Sequence, residues 1–250
     1  MKSRLRSIVL CAVCLLLPGT VCAQGFRIDN KVYVGDGREV VNQSTTIFHE
    51  QQVYDYLEKP SETIVFDRST EQFTLLDTMR RSMARVAARD VLSFTEQLRQ
   101  RNTEQADPLL RFLLAPAFHE QFDSSTGTLN LLGAWMTYRV ETMAAPNVEV
   151  VKLYRDFSDW SARLSPMLVA TARPPFARLM LNTALEEHRL LPREVTLNIT
   201  SKKGVVPKRF TTRSEHQFID RLGESDLNRI KQTHEFMVIY NPVSLEQYRK

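Results

Sequence analysis

Cysteine is missing from almost the whole chain: Cys11, Cys14 and Cys22 are the only three, and all fall within the first 23 of 250 residues. Residues 24–250 therefore have no disulfide, no thiolate metal site and no cysteine nucleophile. Signature motifs are missing too. There is no G-x-S-x-G elbow, no G-x-x-x-x-G-K-[ST] phosphate cradle, no H-E-x-x-H and no EF-hand loop. Gly35 and Gly37 lack the third glycine of a dinucleotide loop and read as a turn. No Gly/Ser or Pro-rich linker, low-complexity tract or repeat interrupts residues 24–250, which are expected to form one α+β domain. Charge of one sign is also scarce. The 33 basic and 29 acidic residues give +4, of which Lys2, Arg4 and Arg6 supply three. The remaining +1 is too little to favour nucleic acid as a partner.

What is present begins with an address. Basic residues precede an apolar run at 8–17, Pro18-Gly19 breaks it, and Val21-Cys22-Ala23 offers small residues to a peptidase. This is the pattern of a secretory signal at 1–23, with cleavage expected near Ala23. Ten helical residues span about 15 Å, half of a roughly 30 Å hydrocarbon core, so no transmembrane anchor is expected. Lipidation of Cys22 would need a Leu-like residue at 19 and a small one at 21, where Gly19 and Val21 stand. The address is secreted or periplasmic.

Residues 26–34 read as a strand ending at Gly35-Asp36-Gly37, and short β-rich runs follow at 45–50, 53–58, 63–67 and 73–77. Such spacing indicates an antiparallel meander. Tyr54 and Tyr56 share one face, as do Ile64 and Phe66. From Asp77, read as an N-cap, the period changes: Met83, Ala87, Val91, Phe94 and Leu98 make a helical stripe, with Arg81, Arg85 and Arg89 as a basic line beside it. Asp107-Pro108 opens a short helix. Strands follow at 118–123, 128–132 and 134–143. A strong amphipathic helix at 147–164 carries Val150, Leu153, Phe157, Trp160 and Leu164 on one face. Pro174-Pro175 opens another helix, with Phe176, Leu179, Met180, Thr183 and Ala184 inward. Strands at 193–201 and 208–219 are joined by Lys202-Lys203-Gly204. Ser225 caps a helix with Leu227, Ile230, His234 and Met237 inside, and Ser244 with Gln247 makes a capping box. Strands and helices come in blocks, so the expected class is α+β: a curved, mostly antiparallel sheet covered on one face by amphipathic helices.

Candidate chemistry is sparse. Each of the five histidines has a glutamate neighbour, but adjacent residues diverge on a strand or helix and cannot easily chelate one ion. No metal ligand, cofactor or catalytic residue is assigned. On the strand at 208–219, Thr212, Ser214 and His216 share a face, with successive same-face Cα atoms about 6.6 Å apart. Ser214 and His216 can therefore meet, although an orienting acid and an oxyanion hole are not identifiable. A solvated sheet face with an Arg213–Glu215 pair is the competing reading. Asp156 and Asp159 read as a solvated helix face, since each has a basic i,i+4 partner.

The stretch STTIFHEQQVYDYLEKPSETIVFDRSTEQFTLLD at 44–77, with TTRSEH and NPVSLEQY further on, resembles a group of exported bacterial proteins of unknown function. More remotely, the meander is similar to the periplasmic lipoprotein-carrier half-barrel, whose fold implies a greasy cavity for acyl chains. This chain departs from it in opening with strands and in placing a long helical block mid-chain. The expected function is a secreted, non-enzymatic binding protein for a lipid or other apolar ligand, with Tyr54, Tyr56, Phe66 and Trp135 as ligand contacts. Arg81, Arg85 and Arg89 are the candidate charged-surface contacts. A protein-interaction role in the envelope and an unrecognised hydrolase are the alternatives. The oligomeric state is not legible.

Overall fold

The computed structural model describes residues 25–100, 107–201 and 208–250; the expected signal segment and the Lys202-Lys203-Gly204 turn lie outside them. Two meanders build the molecule. The first runs β1 (Phe26–Val34), β2 (Asn42–His49), β3 (Gln52–Leu57), β4 (Glu62–Asp67), β5 (Gln72–Asp77) and β6 (Ser82–Ala87). Helices α1 (Ala88–Arg99) and α2 (Pro108–Leu114) follow. The second meander starts with β7 (His119–Asp123), β8 (Thr128–Leu132) and β9 (Met136–Ala144). It is interrupted by α3 (Val148–Leu168) and α4 (Phe176–Glu187), then resumes with β10 (Leu190–Ser201) and β11 (Lys208–Ile219). The chain ends with α5 (Glu224–Ile239), β12 (Asn241–Pro242) and α6 (Leu245–Tyr248).

All twelve strands of the described residues join one open, curved sheet in the order β12-β6-β5-β4-β3-β2-β1-β11-β10-β9-β8-β7. The pairing of β1 with β11, Asn30 opposite His216, welds the two meanders edge to edge. Every pair is antiparallel except β12 on β6.

The hairpins are clamped by aspartates. Asp67, which closes β4, accepts from the backbone N–H of Ser69 and Thr70 at 2.9 and 3.1 Å. Asp123 at the end of β7 accepts from Ser125 N–H at 2.9 Å. Asp77 plays the same part at the end of β5, accepting from Arg80 N–H at 2.7 Å. It is a turn clamp and not a helix cap, and this corrects the sequence reading: Ser82–Ala87 is strand, and the helix begins only at Ala88. The reason is that β6 is covered on both faces. Ala84 and Val86 enter the main core, while Met83 packs with Leu76 and Tyr240 on the other side. Burial on both faces erases the period-two signal and lets an i,i+4 stripe show through. The basic line dissolves with it. Arg81 sits in the β5–β6 turn at φ 49°, Arg85 faces away from the main core on β6, and Arg89 opens α1 beside Asp90.

One sheet face carries Phe26, Ile28, Phe48, Val53, Phe66, Phe73, Val86 and Leu129 into a core roofed by α1, α3 and α4. Asn147 starts α3 by accepting from Val150 N–H at 2.9 Å. Helix α3 then lays Val150, Tyr154, Phe157 and Leu164 on that core. Phe157 meets Phe48 edge-on at 5.8 Å, and Trp160 closes on Phe66 and Phe73. In α4 the buried stripe is Ala177, Leu181, Ala184 and Leu185; Met180, placed inward by the sequence, is 39% exposed. That helix is apolar around most of its girth, so its pattern alone does not fix which stripe packs.

Helix α5 adds a smaller cover on the opposite face. Ile230 packs with Ile47, Tyr54, Tyr56 and Val65. Here the sequence reading is corrected twice. Gly223 and not Ser225 precedes the first turn, its N–H donating to Asp226 at 2.8 Å. His234 and Leu227 are exposed; the buried positions are Asp226, Ile230 and Thr233, and Met237 packs inward as the sequence indicates. Among the described residues no helix is long and apolar enough to cross a membrane.

Candidate functional site

The sheet floor beneath α3 changes character along its strands. At one end Phe26, Phe48 and Val53 lie side by side across β1, β2 and β3. One same-face step further, about 6.6 Å, the row is Ile28, Thr46 and Asp55. The next row is His216, Asn30 and Ser44. The floor thus grades from aromatic to fully polar in two steps. Above it stand Tyr154, Phe157, Ser158, Ser161 and Ser165 of α3, with Arg178 of α4 reaching in. Floor and roof enclose an open cleft of about 350 Å³.

Its polar side chains form one continuous relay. The Asn30 amide donates to Ser44 Oγ and Thr46 Oγ1, both at 3.2 Å. Its Oδ1 therefore faces the His216 ring and accepts from Nδ1–H at 2.8 Å. That leaves Nε2 as the acceptor for the Ser214 hydroxyl at 3.0 Å. At the other end Thr46 Oγ1 donates to Asp55 Oδ1 at 2.8 Å, and the Ser44 hydroxyl also serves that carboxylate. The chain Ser214–His216–Asn30–Ser44/Thr46–Asp55 crosses four adjacent strands.

Burial sets the charge state of its two titratable members. It pushes the Asp55 carboxyl up to about 6, against the opposing hydrogen bonds from Thr46 and Ser44. It pushes the His216 imidazole down to about 3, helped by the Arg178 guanidinium. The ring is neutral across the physiological range. Arg178 is held by neutral oxygens: Nε donates to Asn182 Oδ1 at 2.9 Å and Nη2 to the Tyr154 hydroxyl at 3.0 Å.

The sequence-derived ligand contacts do not converge. Tyr54 and Tyr56 lie under α5 on the opposite sheet face, where their hydroxyls meet His234 Nε2 at 2.9 Å and Thr233 Oγ1 at 3.0 Å. Phe66 is a core residue stacked on Phe73 at 4.5 Å. Trp135 precedes β9, its carbonyl accepting from Thr200 N–H. Arg81, Arg85 and Arg89 are all exposed but belong to a turn, a strand and a helix. Of the singled-out residues, Ser214 and His216 do come together, as the strand spacing requires. Their partner Asn30 and the carboxylate Asp55 were missed. The available signal was an Asn and an Asp on the inward, otherwise apolar register of β1 and β3.

The histidine–glutamate pattern yields one contact between distant segments: His188 Nε2 lies 2.8 Å from Glu120 Oε1. Among the described residues no cluster of three or more metal-ligating side chains forms.

No protein-family model matches the chain. No curated protein matches it either. Among solved structures it is similar to a LolA superfamily protein from Nitrosomonas europaea, at 8% identity and a TM-score of 0.29, over 81% of this chain and 88% of that one. At this TM-score no property of that protein carries over to this chain.

Proposed function

We propose that the chain is an exported, non-catalytic binding protein that holds a small amphipathic molecule in the cleft between α3 and the centre of the sheet. The observation that carries this reading is the graded floor: Phe48 and Phe157 at one end, Asn30, Asp55 and His216 at the other. A purely apolar guest would leave the polar end unmatched, which costs about 1–3 kcal/mol per desolvated group. A purely polar guest would leave the aromatic end wet. The volume sets how much of the guest the cleft itself can hold. At about 30 Å³ per water-sized group, 350 Å³ admits about a dozen heavy atoms.

Catalysis by Ser214 and His216 is the weaker reading. An imidazole pushed down to about 3 is a poor general base at neutral pH. Ser214 is also not among the residues that line the cleft.

Native mass spectrometry after gentle purification tests the proposal. The expected result is a satellite mass from a bound amphiphile, or uptake of one on titration with decyl compounds. Ala162→Trp, which fills the cleft from α3, should abolish it while circular dichroism stays unchanged. A clean unliganded mass with no uptake would overturn the proposal.

A further inference from the structure

Resting on that reading of the cleft, we infer that its guest is an amphipathic acid, a carboxylate or phosphate ester, whose head group is received by Arg178. Several arginines of the molecule have acidic partners. Arg155 pairs with Glu186, Arg163 with Asp159 at 3.5 Å, Arg27 with Asp226 at 2.8 Å, and Arg213 with Glu194 and Glu215. Arg178 has no such partner among the described residues and, unlike Arg99, which lies over Phe176, it lines the graded cleft. Among the described residues no carboxylate lies within salt-bridge distance of it, and its two hydrogen-bond partners, Asn182 and Tyr154, are uncharged. Those two contacts use Nε and Nη2, and Nη1 makes no hydrogen bond to the described protein. The guanidinium is thus oriented by neutral groups, part-buried, and short of a counter-charge on the wall of a cleft.

Neighbouring donors complete the receptor. The hydroxyls of Ser158 and Ser161 line the same cleft and make no hydrogen bond among the described residues. Arginine with hydroxyls is the donor set that carboxylates and phosphates require. The other charged group of the cleft, Asp55, does not ask for a cation in the same way. Its carboxyl already accepts from the hydroxyls of Thr46 and Ser44. An acid head on Arg178 would point its tail along the floor towards Ile28, Phe48 and Phe157.

Isothermal titration of the folded protein with decanoate, decyl phosphate, decanol, decylamine and inorganic phosphate tests the assignment. Decanoate and decyl phosphate should bind, with decanol and decylamine at least tenfold weaker. Arg178→Gln should weaken the two acids by about tenfold to a hundredfold, the range expected for lost charge-assisted hydrogen bonds, and leave decanol unchanged. Arg178→Lys should recover part of the loss, and the wild-type acid-to-alcohol ratio needs no variant at all. Decanol or decylamine binding as tightly as the acids would overturn the assignment to an acid while leaving an amphiphile-binding cleft. Inorganic phosphate binding as tightly as decyl phosphate would make the guest a small anion and overturn the amphipathic assignment. If none of the decyl compounds binds, the cleft reading itself fails.

Discussion

Replacing Asp55 by asparagine is expected to stabilise the protein by roughly 3 kcal/mol above pH 6 and to leave its stability nearly unchanged at pH 4. The fold raises this carboxyl from its ordinary 3.8 to about 6. Between those values the folded protein binds more protons than the unfolded chain, so Asp55 makes stability fall as pH rises. Above 6 the whole penalty of holding a carboxylate there is present. His216 works in the opposite sense. Its value drops from 6.5 to about 3, so within that window the unfolded chain binds more protons. Stability therefore rises with pH through the window, and the contribution is complete above 6.5. The two slopes are each about 1.4 kcal/mol per pH unit and cancel between about pH 4 and 6. Urea denaturation of the wild-type protein should show little dependence from this pair across that range. The Asp55→Asn protein should gain stability steadily from pH 4 to 6. A variant no more stable relative to wild type at pH 7.5 than at pH 4 would show that the carboxyl is not held as described. A stabilising change at a cleft residue is what a binding site that trades stability for function presents.

The second large effect separates core from site. Phe66 was one of four aromatics expected to touch ligand, yet it is 3% exposed, stacked on Phe73 at 4.5 Å and closed by Trp160 at 5.6 Å. Phe66→Ala should cost about 3–5 kcal/mol, combining lost transfer energy with an unfilled cavity under α3. Guanidinium denaturation followed by tryptophan emission measures it. A cost below about 1 kcal/mol would mean that α3 does not seal the sheet at this point, and the roof over the cleft would be in doubt.

Much of this architecture was legible in the sequence, for identifiable reasons. The strands from β2 to β5 are short and separated by turn residues, so their boundaries appear within a residue, except that β2 begins three residues earlier than its pattern suggests. Helix α3 shows its stripe because one side faces the core and the other carries ion pairs such as Asp159–Arg163. Strand β6 was hidden by burial on both faces, and the packed stripe of α4, though not the helix itself, by apolar residues to spare. The site was half legible. Ser214 and His216 are two residues apart on one strand, so alternation alone brings them together. Asn30 reaches His216 across 186 residues of chain, through a β1–β11 pairing that local pattern cannot specify. Asp55 lies between Tyr54 and Tyr56, whose side chains occupy the opposite face of β3 under α5. An acidic residue on the inward register of a buried strand was the more informative signal, because such a group is seldom placed there without a task.

Amide chemical-shift mapping during titration with decanoate distinguishes the graded cleft under α3 from the other surfaces. The largest perturbations should fall on Asn30, Ser44, Asp55 and Ser161, with His216 shifting alongside them. Perturbations concentrated instead at Tyr54, Tyr56 and Ile230 beneath α5, or along Arg81, Arg85 and Arg89, would contradict binding in the cleft.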